Sequence, residues 1–245
     1  MTQRKLAVFD IDGTLFRSGL YREVFYELSK MGAVPAEMSE AATLKHREWN
    51  HRINGNAFEE FERFLVNNLD DYLTKLRTAD YDTAVARVVE SKADNVYVYT
   101  RNLLRQLQQE GYITIAISGS QQELVEPFAK HYNFDAWVGQ YWERAGEYFS
   151  GKVIKTHTNK DKIIHDLVSQ YDLTLADSYG VGDSNGDVGM LQLVDNPIAF
   201  NPTQELFDKA VEHGWKIVIE RKNTSYELTQ GAPDEPYVLA KANHH

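Results

Sequence analysis

Residues 6–15 read Leu-Ala-Val-Phe-Asp-Ile-Asp-Gly-Thr-Leu, and this stretch decides the fold class. The four apolar residues at 6–9 predict a buried strand that delivers Asp10 and Asp12 at its carboxyl end, where ligands bind in open α/β sheets. The two side chains point the same way along an extended chain. Carboxylates held this close repel each other unless a cation lies between them, so the stretch predicts a hard divalent ion. Gly13 permits a sharp turn that leaves both uncovered; a simple Asx-Gly turn is the alternative.

A second candidate site follows the apolar run 113–117, which predicts another strand. Ser118 and Gly119 stand where this strand meets a helix whose apolar positions begin at Leu124. A serine hydroxyl and the N–H groups of a helix start suit an anion. Serine and glycine at such a turn also serve as an N-cap and a hinge.

A third candidate is Lys160, which stands in the first turn of a predicted helix. The positive end of the helix macrodipole disfavours a cation at this position. A nearby negative group, such as a carboxylate pair or a phosphate, would compensate. A solvated surface lysine is the alternative, and Lys162 is the neighbour most easily confused with it.

The fourth candidate is the stretch 182–187, Gly-Asp-Ser-Asn-Gly-Asp, between a short apolar strand and an amphipathic helix. Asp183 and Asp187 are four residues apart, so one helical turn brings both carboxylates to the same edge. The alternative is structural: Asp183 would be the N-cap of the helix, and the second acid, Asp187, would have no function. A glycine-flanked pair of acids after two similar strand ends favours a functional site.

Taken in order, the motifs strand–DxDGT, strand–SGS, helix–Lys and strand–GDxxxD resemble the haloacid dehalogenase superfamily, in its phosphoserine-phosphatase-like branch (subfamily IB). The resemblance extends from about Lys5 to about Val218. It implies an α/β fold with a Rossmann-like parallel sheet core flanked by helices and an inserted helical cap domain. It also implies a Mg²⁺-dependent phosphatase that hydrolyses a small phosphomonoester metabolite through an aspartyl-phosphate intermediate.

The resemblance gives each acidic motif residue a role. Asp10 would be the nucleophile, and Asp12 would protonate the leaving alcohol and then deprotonate water. Mg²⁺ would be held by Asp10, the backbone carbonyl of Asp12, and Asp183. Asp187 would complete the metal site by orienting a metal-bound water or Lys160.

The resemblance also assigns the substrate contacts. Ser118, the Gly119 N–H and Lys160 would hold the phosphoryl oxygens, on which charge develops during transfer. Arg63 is the cap arginine nearest to where the branch places a carboxylate-binding guanidinium, so it is a candidate clamp for an anionic leaving group. An exposed surface arginine is the alternative.

Two positions depart from the pattern of the branch. Gly186 stands where phosphoserine phosphatases usually carry asparagine, and Gly19 stands near their acidic residue that binds the substrate ammonium. Because glycine offers no carboxylate, we expect phosphoserine to be a poor substrate. Phosphoserine, histidinol phosphate and sugar phosphates all remain candidates.

The same residues leave other functions open. Asp12 favours phosphoryl chemistry over carbon–halogen cleavage, because a departing halide needs no proton. A phosphotransferase would use the same site, with a second alcohol in place of water. A non-catalytic relative that binds a phosphorylated ligand is the alternative from another class, although binding alone needs no Asp12.

The domain organisation follows from the position of the motifs. We expect a core of residues 1–15 and 96–220, a helical cap of residues 16–95, and a polar, poorly packed tail of residues 221–245. The segment 16–95 has apolar positions at helical spacing and no strand-like run. The aromatic-rich segment 134–154 predicts a β-hairpin.

The amino-acid composition limits the classes of partner that the protein is expected to bind. The chain has 245 residues and a net charge of −10, from 26 basic and 36 acidic residues, so it should repel nucleic acid and anionic membranes. It has no cysteine, which excludes disulfides and thiolate catalysis. A secretory h-region and an apolar stretch of transmembrane length are both missing from the sequence, so we expect a cytoplasmic protein that binds a small metabolite.

Overall fold

A nine-stranded sheet forms the centre of the computed structural model, which describes residues 3–156, 159–232 and 235–245. Its strands are β1 (Arg4–Phe9), β2 (Ile113–Gln121), β3 (Ala136–Ala145), β4 (Tyr148–Ile154), β5 (Leu173–Gly182), β6 (Asn196–Phe200), β7 (Lys216–Arg221), β8 (Thr224–Thr229) and β9 (Val238–His244). Their order in the sheet is β4-β3-β2-β1-β5-β6-β7-β8-β9. Six adjacent strands in the sheet are parallel: β3, β2, β1, β5, β6 and β7. Strand β4 pairs antiparallel with β3, and β8 and β9 continue the other edge as antiparallel strands. The predicted α/β fold class is confirmed.

Helices cover both faces of the parallel strands and fill a long insertion after β1. They are α1 (Leu20–Lys30), α2 (Ala36–Asn50), α3 (Ala57–Tyr72), α4 (Thr78–Lys92), α5 (Val98–Gln109), α6 (Gln122–His131), α7 (Lys160–Tyr171), α8 (Val188–Leu191) and α9 (Gln204–His213). We refer to α1–α4 as the helical insert; its role as a cap domain stays a prediction. Within the described residues, no helix combines the length and apolar character that crossing a membrane requires.

The central strand β1 packs on both faces of the sheet. Leu6 and Val8 contact one apolar cluster, and Ala7 and Phe9 contact the other. All four are almost fully buried, which explains why the strand reads as an unbroken apolar run. Burial of a side chain the size of Phe9 contributes about 1.5–3 kcal/mol, so the strand end that follows is firmly fixed.

Helix α3 shows why the insert is helical. Phe61, Leu65 and Leu69 recur every four residues and are buried together, so one face of the helix packs against the rest of the insert. The opposite face carries polar and charged residues, including Glu62 and Arg63. The helix therefore anchors itself through one face and presents charged groups on another.

The segment 221–245 differs from the expected polar tail. It forms β8 and β9, which extend the sheet beyond β7 as antiparallel strands. Apolar side chains pair across the β7–β8 interface, with Ile217 opposite Leu228 and Ile219 opposite Tyr226. Such cross-strand pairs stabilise a sheet even where the intervening residues are polar, so the expectation of poor packing for residues 224–229 was wrong.

The expected hairpin over 134–154 is formed by β3 and β4, which pair antiparallel from Tyr141 opposite Ile154 to Ala145 opposite Tyr148.

Candidate active site

The motif residues meet at the carboxyl edge of the three central parallel strands. Asp10 follows β1, Ser118 lies near the end of the neighbouring β2, and Asp183 follows β5 on the other side. The Asp10 N–H donates to the carbonyl of Val181 at 2.9 Å, which continues the β1–β5 pairing to the site. The sheet thus converts distant sequence positions into one cluster.

Gly13 makes the turn after β1 and leaves space for a carboxylate. Its φ of +82° lies in the left-handed region that favours glycine. A Cβ atom at this position would lie 2.1 Å from Oδ2 of Asp183. The glycine is therefore required twice, once by its backbone conformation and once by the close approach of Asp183.

Lys160 begins α7 and reaches into the cluster. Its Nζ donates to Oδ1 of Asp10 and to Oδ1 of Asp187, both at 2.6 Å. Burial by itself would lower the pKa of the Lys160 ammonium, but the two carboxylates outweigh it and raise the pKa. The lysine is therefore charged, and the carboxylates provide the compensation that its place in the first helical turn requires.

Asp187 uses both carboxylate oxygens within the protein. Oδ1 accepts from Lys160, while Oδ2 accepts the N–H groups of Asp183 and Ser184 at 3.1 and 3.0 Å. A Cβ on Gly182 would lie 2.5 Å from the Asp187 Cβ, so glycine permits this approach. Asp187 thereby fixes the turn that carries Asp183 and orients the lysine.

Three carboxylates lie close enough to share a cation. One oxygen from each of Asp10, Asp183 and Asp187 lies within 4.8 Å of the others. Burial raises the pKa of Asp10 to about 7, and the charges of Asp187 and Asp12 add to this although Lys160 opposes it. Burial and the neighbouring Asp10 and Asp187 also raise the pKa of Asp183 well above its usual range. These groups repel one another as anions, so the cluster fits a hard divalent ion with oxygen ligands.

Asp12 stands outside that group of three. Its Oδ1 accepts the N–H of Leu20 at 2.5 Å, and its Oδ2 accepts the hydroxyl of Ser118 at 2.6 Å. Ser118 is fully buried and also accepts the N–H of Ser120 at 2.8 Å. Both side-chain oxygens of Asp12 are thus held in place by neutral groups, and no described residue forms an ion pair with them, which suits proton transfer rather than side-chain metal binding.

A cavity of about 550 Å³ opens from this cluster toward the helical insert. Asp10, Asp12, Lys160, Asp183 and Gly119 form its core side. Helix α3 forms the facing wall, with lining residues Phe58, Glu62, Arg63, Val66 and Asn67.

Arg63 lies on the wall of this cavity, as the resemblance implied, and its side chain is exposed. Its guanidinium makes no hydrogen bond or ion pair with any residue that the structure describes. This position is compatible with both alternatives from the sequence, a surface arginine and a substrate contact, so a substrate-binding role for Arg63 stays a prediction.

The sequence analysis missed several cavity residues, and Gln140 and Glu62 are the two most relevant polar ones. Gln140 on β3 is 2% exposed, lines the cavity and has an amide nitrogen without a partner among the described residues. Its one signal in the sequence is the alternation of β3, which places the polar Gln140 on the same buried face of the strand as Trp142. Glu62 on α3 also lines the cavity; no sequence signal separates it from the neighbouring acids.

Glu62 changes the interpretation of Gly19. Its Oε2 would lie 3.7 Å from a Cβ on Gly19. A carboxylate therefore stands beside position 19 although that residue offers none. The expectation that phosphoserine is a poor substrate stays a prediction, although its argument from Gly19 did not consider the nearby carboxylate of Glu62.

Comparisons with known proteins identify the family and several similar chains. A family model described as haloacid dehalogenase-like hydrolase matches residues 7–192. The chain is similar to the histidinol-phosphatase of Neisseria meningitidis serogroup C (strain 8013), with 28% identity over 224 residues, 88% of this chain and 98% of that protein. It is also similar to phosphoserine phosphatase SerB2 of Mycobacterium tuberculosis (strain ATCC 25618 / H37Rv), with 24% identity over 218 residues. The aligned residues cover 86% of this chain and 48% of that protein.

Solved structures share the fold. A protein of unknown function from Bordetella pertussis Tohama I has a TM-score of 0.67 at 20% identity, covering 89% of this chain and 99% of that one. A phospho-aspartyl intermediate analogue of phosphoserine phosphatase has a TM-score of 0.62 at 19% identity, covering 90% and 95%.

The fold and the family model together define the class: the chain belongs to the haloacid dehalogenase-like hydrolases. Within that family, the two curated relatives are named as phosphatases, which supports the phosphoserine-phosphatase-like branch and a phosphoric monoester hydrolase, as the sequence motifs indicated.

Proposed function

We propose that the chain is a Mg²⁺-dependent phosphatase that hydrolyses a small phosphomonoester through an aspartyl-phosphate on Asp10. The observation that carries this proposal is the buried contact of Lys160 Nζ with Asp10 Oδ1 at 2.6 Å, on the wall of a cavity shared with Asp12 and Asp183. A strand-end carboxylate beside a fixed cation can receive a phosphoryl group, because the cation offsets the charge of the incoming anion.

The donor set supports a resident Mg²⁺. Asp10 and Asp183 retain carboxylate oxygens free of hydrogen bonds within the described residues, and the backbone carbonyl of Asp12 is the third ligand we propose. Asp187, whose two oxygens are already bonded, acts by holding Lys160 and the backbone of Asp183. When bound, Mg²⁺ supplies positive charge that lowers the repulsion between the substrate phosphate and these carboxylates.

The two chemical steps use neighbouring aspartates. The Asp10 carboxylate forms a bond to phosphorus, the ester bond breaks, and the leaving alcohol takes a proton from Asp12. A water molecule then attacks the phosphorus of the aspartyl-phosphate and gives its proton to Asp12. Inorganic phosphate leaves, and both aspartates return to their starting states.

The phosphoryl oxygens need donors during both steps. Lys160 and the Gly119 N–H are the donors that we propose at the cavity wall, together with the Ser118 hydroxyl. That hydroxyl donates to Asp12 at 2.6 Å, so it must turn its hydrogen toward phosphate to take part. The helical insert would act as the cap that covers the reacting groups and contacts the leaving alcohol.

Amino-alcohol phosphates are the substrate candidates. The similarity to a histidinol-phosphatase over 98% of that protein supports this choice. The test is phosphate release from a panel of phosphomonoesters with Mg²⁺, with histidinol phosphate, phosphoserine and sugar phosphates included. We expect the native protein to release phosphate from at least one of these substrates, and we expect the Asp12→Asn variant not to do so. Phosphate release that is equal in the variant, or none from the native protein, would refute the proposal. Adding acceptor alcohols to the assay separates hydrolysis from phosphoryl transfer.

A further inference from the structure

A buried carboxamide that the proposed reaction does not use lies at the wall of the active-site cavity. Gln140 on β3 is 2% exposed and lines the cavity. Neither atom of its amide has a hydrogen-bond partner among the residues that the structure describes. Of the two, only Nε2 is fully enclosed, so Oε1 is the atom that the cavity reaches. Because an unpaired buried polar group costs free energy, a ligand that bonds to this amide gains it back.

The register of β2 and β3 places Gln140 beside the proposed phosphate donors. Ile117 pairs with Val138, and Gln121 pairs with Gln140, so four steps along β2 match two steps along β3. The extra residues, 118–120, form a bulge in β2. This bulge carries the serine hydroxyl and the glycine N–H that we propose for the phosphoryl oxygens, and it lines the same cavity. A leaving alcohol that extends from the phosphoryl group along the sheet therefore approaches the amide.

The chemistry of the amide favours a neutral partner. A carboxamide offers an acceptor and two donors but carries no charge. The residue paired with Gln140 in the sheet is equally neutral, since Gln121 is also an amide and its Oε1 accepts the hydroxyl of Tyr81 at 3.1 Å. Because no protein partner fixes the orientation of the Gln140 amide, a half-turn about its last side-chain bond can exchange the oxygen and the nitrogen. The amide can therefore pair with a neutral donor or a neutral acceptor.

We propose that Gln140 determines specificity by hydrogen bonding, through its carboxamide, to a neutral polar group of the leaving alcohol. The substrate class is then a phosphoric monoester whose alcohol carries a hydroxyl, an amide or a neutral ring nitrogen. This role rests on the proposed phosphatase function and adds a contact to the leaving alcohol. The contact comes from the sheet rather than from the helical insert.

Matched pairs of substrates isolate this contact. The members of each pair carry a hydroxyl or a methyl group at the end of the same chain, as in 2-hydroxyethyl phosphate and propyl phosphate, and longer chains vary the reach. We expect the native protein to favour the hydroxyl member in kcat/KM by at least about tenfold for one chain length or more, because the methyl group leaves the amide unpaired. Gln140→Met, which has a similar shape and no amide, should bring that ratio to one or below.

The control is Gln121→Met, the same change at the paired position of the neighbouring strand. Gln121 is fully buried and is not among the described residues that line the cavity, so its substitution should leave the ratio unchanged. In urea denaturation the two variants should differ in the opposite sense. Gln121→Met should lower the free energy of unfolding, because it removes the acceptor of the Tyr81 hydroxyl. Gln140→Met should leave it unchanged or raise it, since its amide has no bond to a described residue to lose.

Several outcomes would overturn the role of Gln140. They are an equal fall of the ratio in both variants, an unchanged ratio in Gln140→Met, and no preference at any chain length in an active native protein. A loss of stability in Gln140→Met as large as that in Gln121→Met would also overturn it, because the amide would then be bonded within the protein.

Binding provides a readout that does not depend on turnover. Calorimetric titration of both members of each pair into Asp12→Asn, with and without Gln140→Met, should show the same preference and its loss. Native protein that releases phosphate from no phosphomonoester would refute the proposed function instead, and the binding preference would then decide the role of Gln140 by itself.

Discussion

Lys160 Nζ lies 2.6 Å from Oδ1 of Asp187, and both side chains are at least 96% buried. The contact joins the start of α7 to the turn after β5. Because the second oxygen of Asp187 holds the backbone of that turn, the ion pair connects Lys160 to the position of Asp183. Loss of the lysine should therefore affect stability as well as chemistry.

We expect Lys160→Met to lower the free energy of unfolding in metal-free buffer by about 3–5 kcal/mol, because it leaves buried carboxylates without a cation. Urea denaturation measures this change, and added Mg²⁺ should recover part of it by binding the native state. Lys162→Met is the control, since Lys162 is exposed on the same helix. Equal stability of the two variants would contradict the assignment of Lys160.

Gly13→Ala should remove activity by displacing Asp183. The new Cβ would lie 2.1 Å from Asp183 Oδ2, so the carboxylate must move away from the cluster. Gly32→Ala is a matched control, because Gly32 also has a positive φ (+68°) but no atom within 4 Å of its Cβ position. Both variants should lose about 1–2 kcal/mol of stability from backbone strain. Only Gly13→Ala should lower kcat, by about a hundredfold or more; equal kcat in the two would show that the space beside Asp183 is unimportant.

Asp10→Asn should abolish turnover without unfolding the protein. An amide oxygen is a poor nucleophile, so we expect less than about a thousandth of the native rate. Circular dichroism checks the fold, and the same substitution at the exposed Asp208 serves as the control. A higher residual rate would exclude an aspartyl-phosphate on Asp10.

Metal removal tests the group of carboxylates. EDTA should eliminate phosphate release, and Mg²⁺ should restore it, since the cluster offers hard oxygen ligands and no cysteine. Mg²⁺ should also raise the melting temperature of the native protein and have less effect on Asp183→Asn. Recovery with Zn²⁺ alone would argue against the assigned ligands.

Arg63→Ala should separate substrates by the charge of the leaving group. Phosphoserine differs from phosphoethanolamine by one carboxylate, which the unpaired guanidinium can bind. We expect the variant to lower the ratio of kcat/KM for phosphoserine to that for phosphoethanolamine by about tenfold. Arg47→Ala, at an exposed position on α2, should leave the ratio unchanged. An unaffected ratio in Arg63→Ala would make Arg63 a surface residue only.

The sheet edge could be predicted from sequence because its signals are local. An apolar run followed by an acid, as at Phe9 and Asp10, identifies a strand and the residue at its end within a few positions. Lys160 was less certain, because a lysine in a first helical turn is also common at the surface, and its place in the order of the motifs was needed to select it. These motifs needed only their order along the chain to be assembled into one site.

The facing wall of the cavity could not be predicted, because it depends on packing between distant segments. Glu62 stands beside Gly19 only because α3 packs across the start of α1, and one charged residue on a helix surface gives no sign of this. Gln140 is similar, since its unpaired amide is defined by burial rather than by spacing. The strand at 224–229 was missed because Tyr226 and Leu228 are its only apolar residues, so its alternating pattern is too short to separate it from a polar segment.

The cavity has one wall from the sheet edge and one from α3, and these walls differ in how much sequence change they tolerate. On the sheet side, close contacts leave little room for substitution, because a Cβ on Gly13 would collide with Asp183 and the Lys160 ammonium contacts both Asp10 and Asp187. On the helix side, Arg63 and Asn67 are exposed, and the buried face of α3 holds the helix without them. Substrate range can therefore diverge during evolution, or in a library randomised at 62, 63, 66 and 67, while the reaction itself is retained.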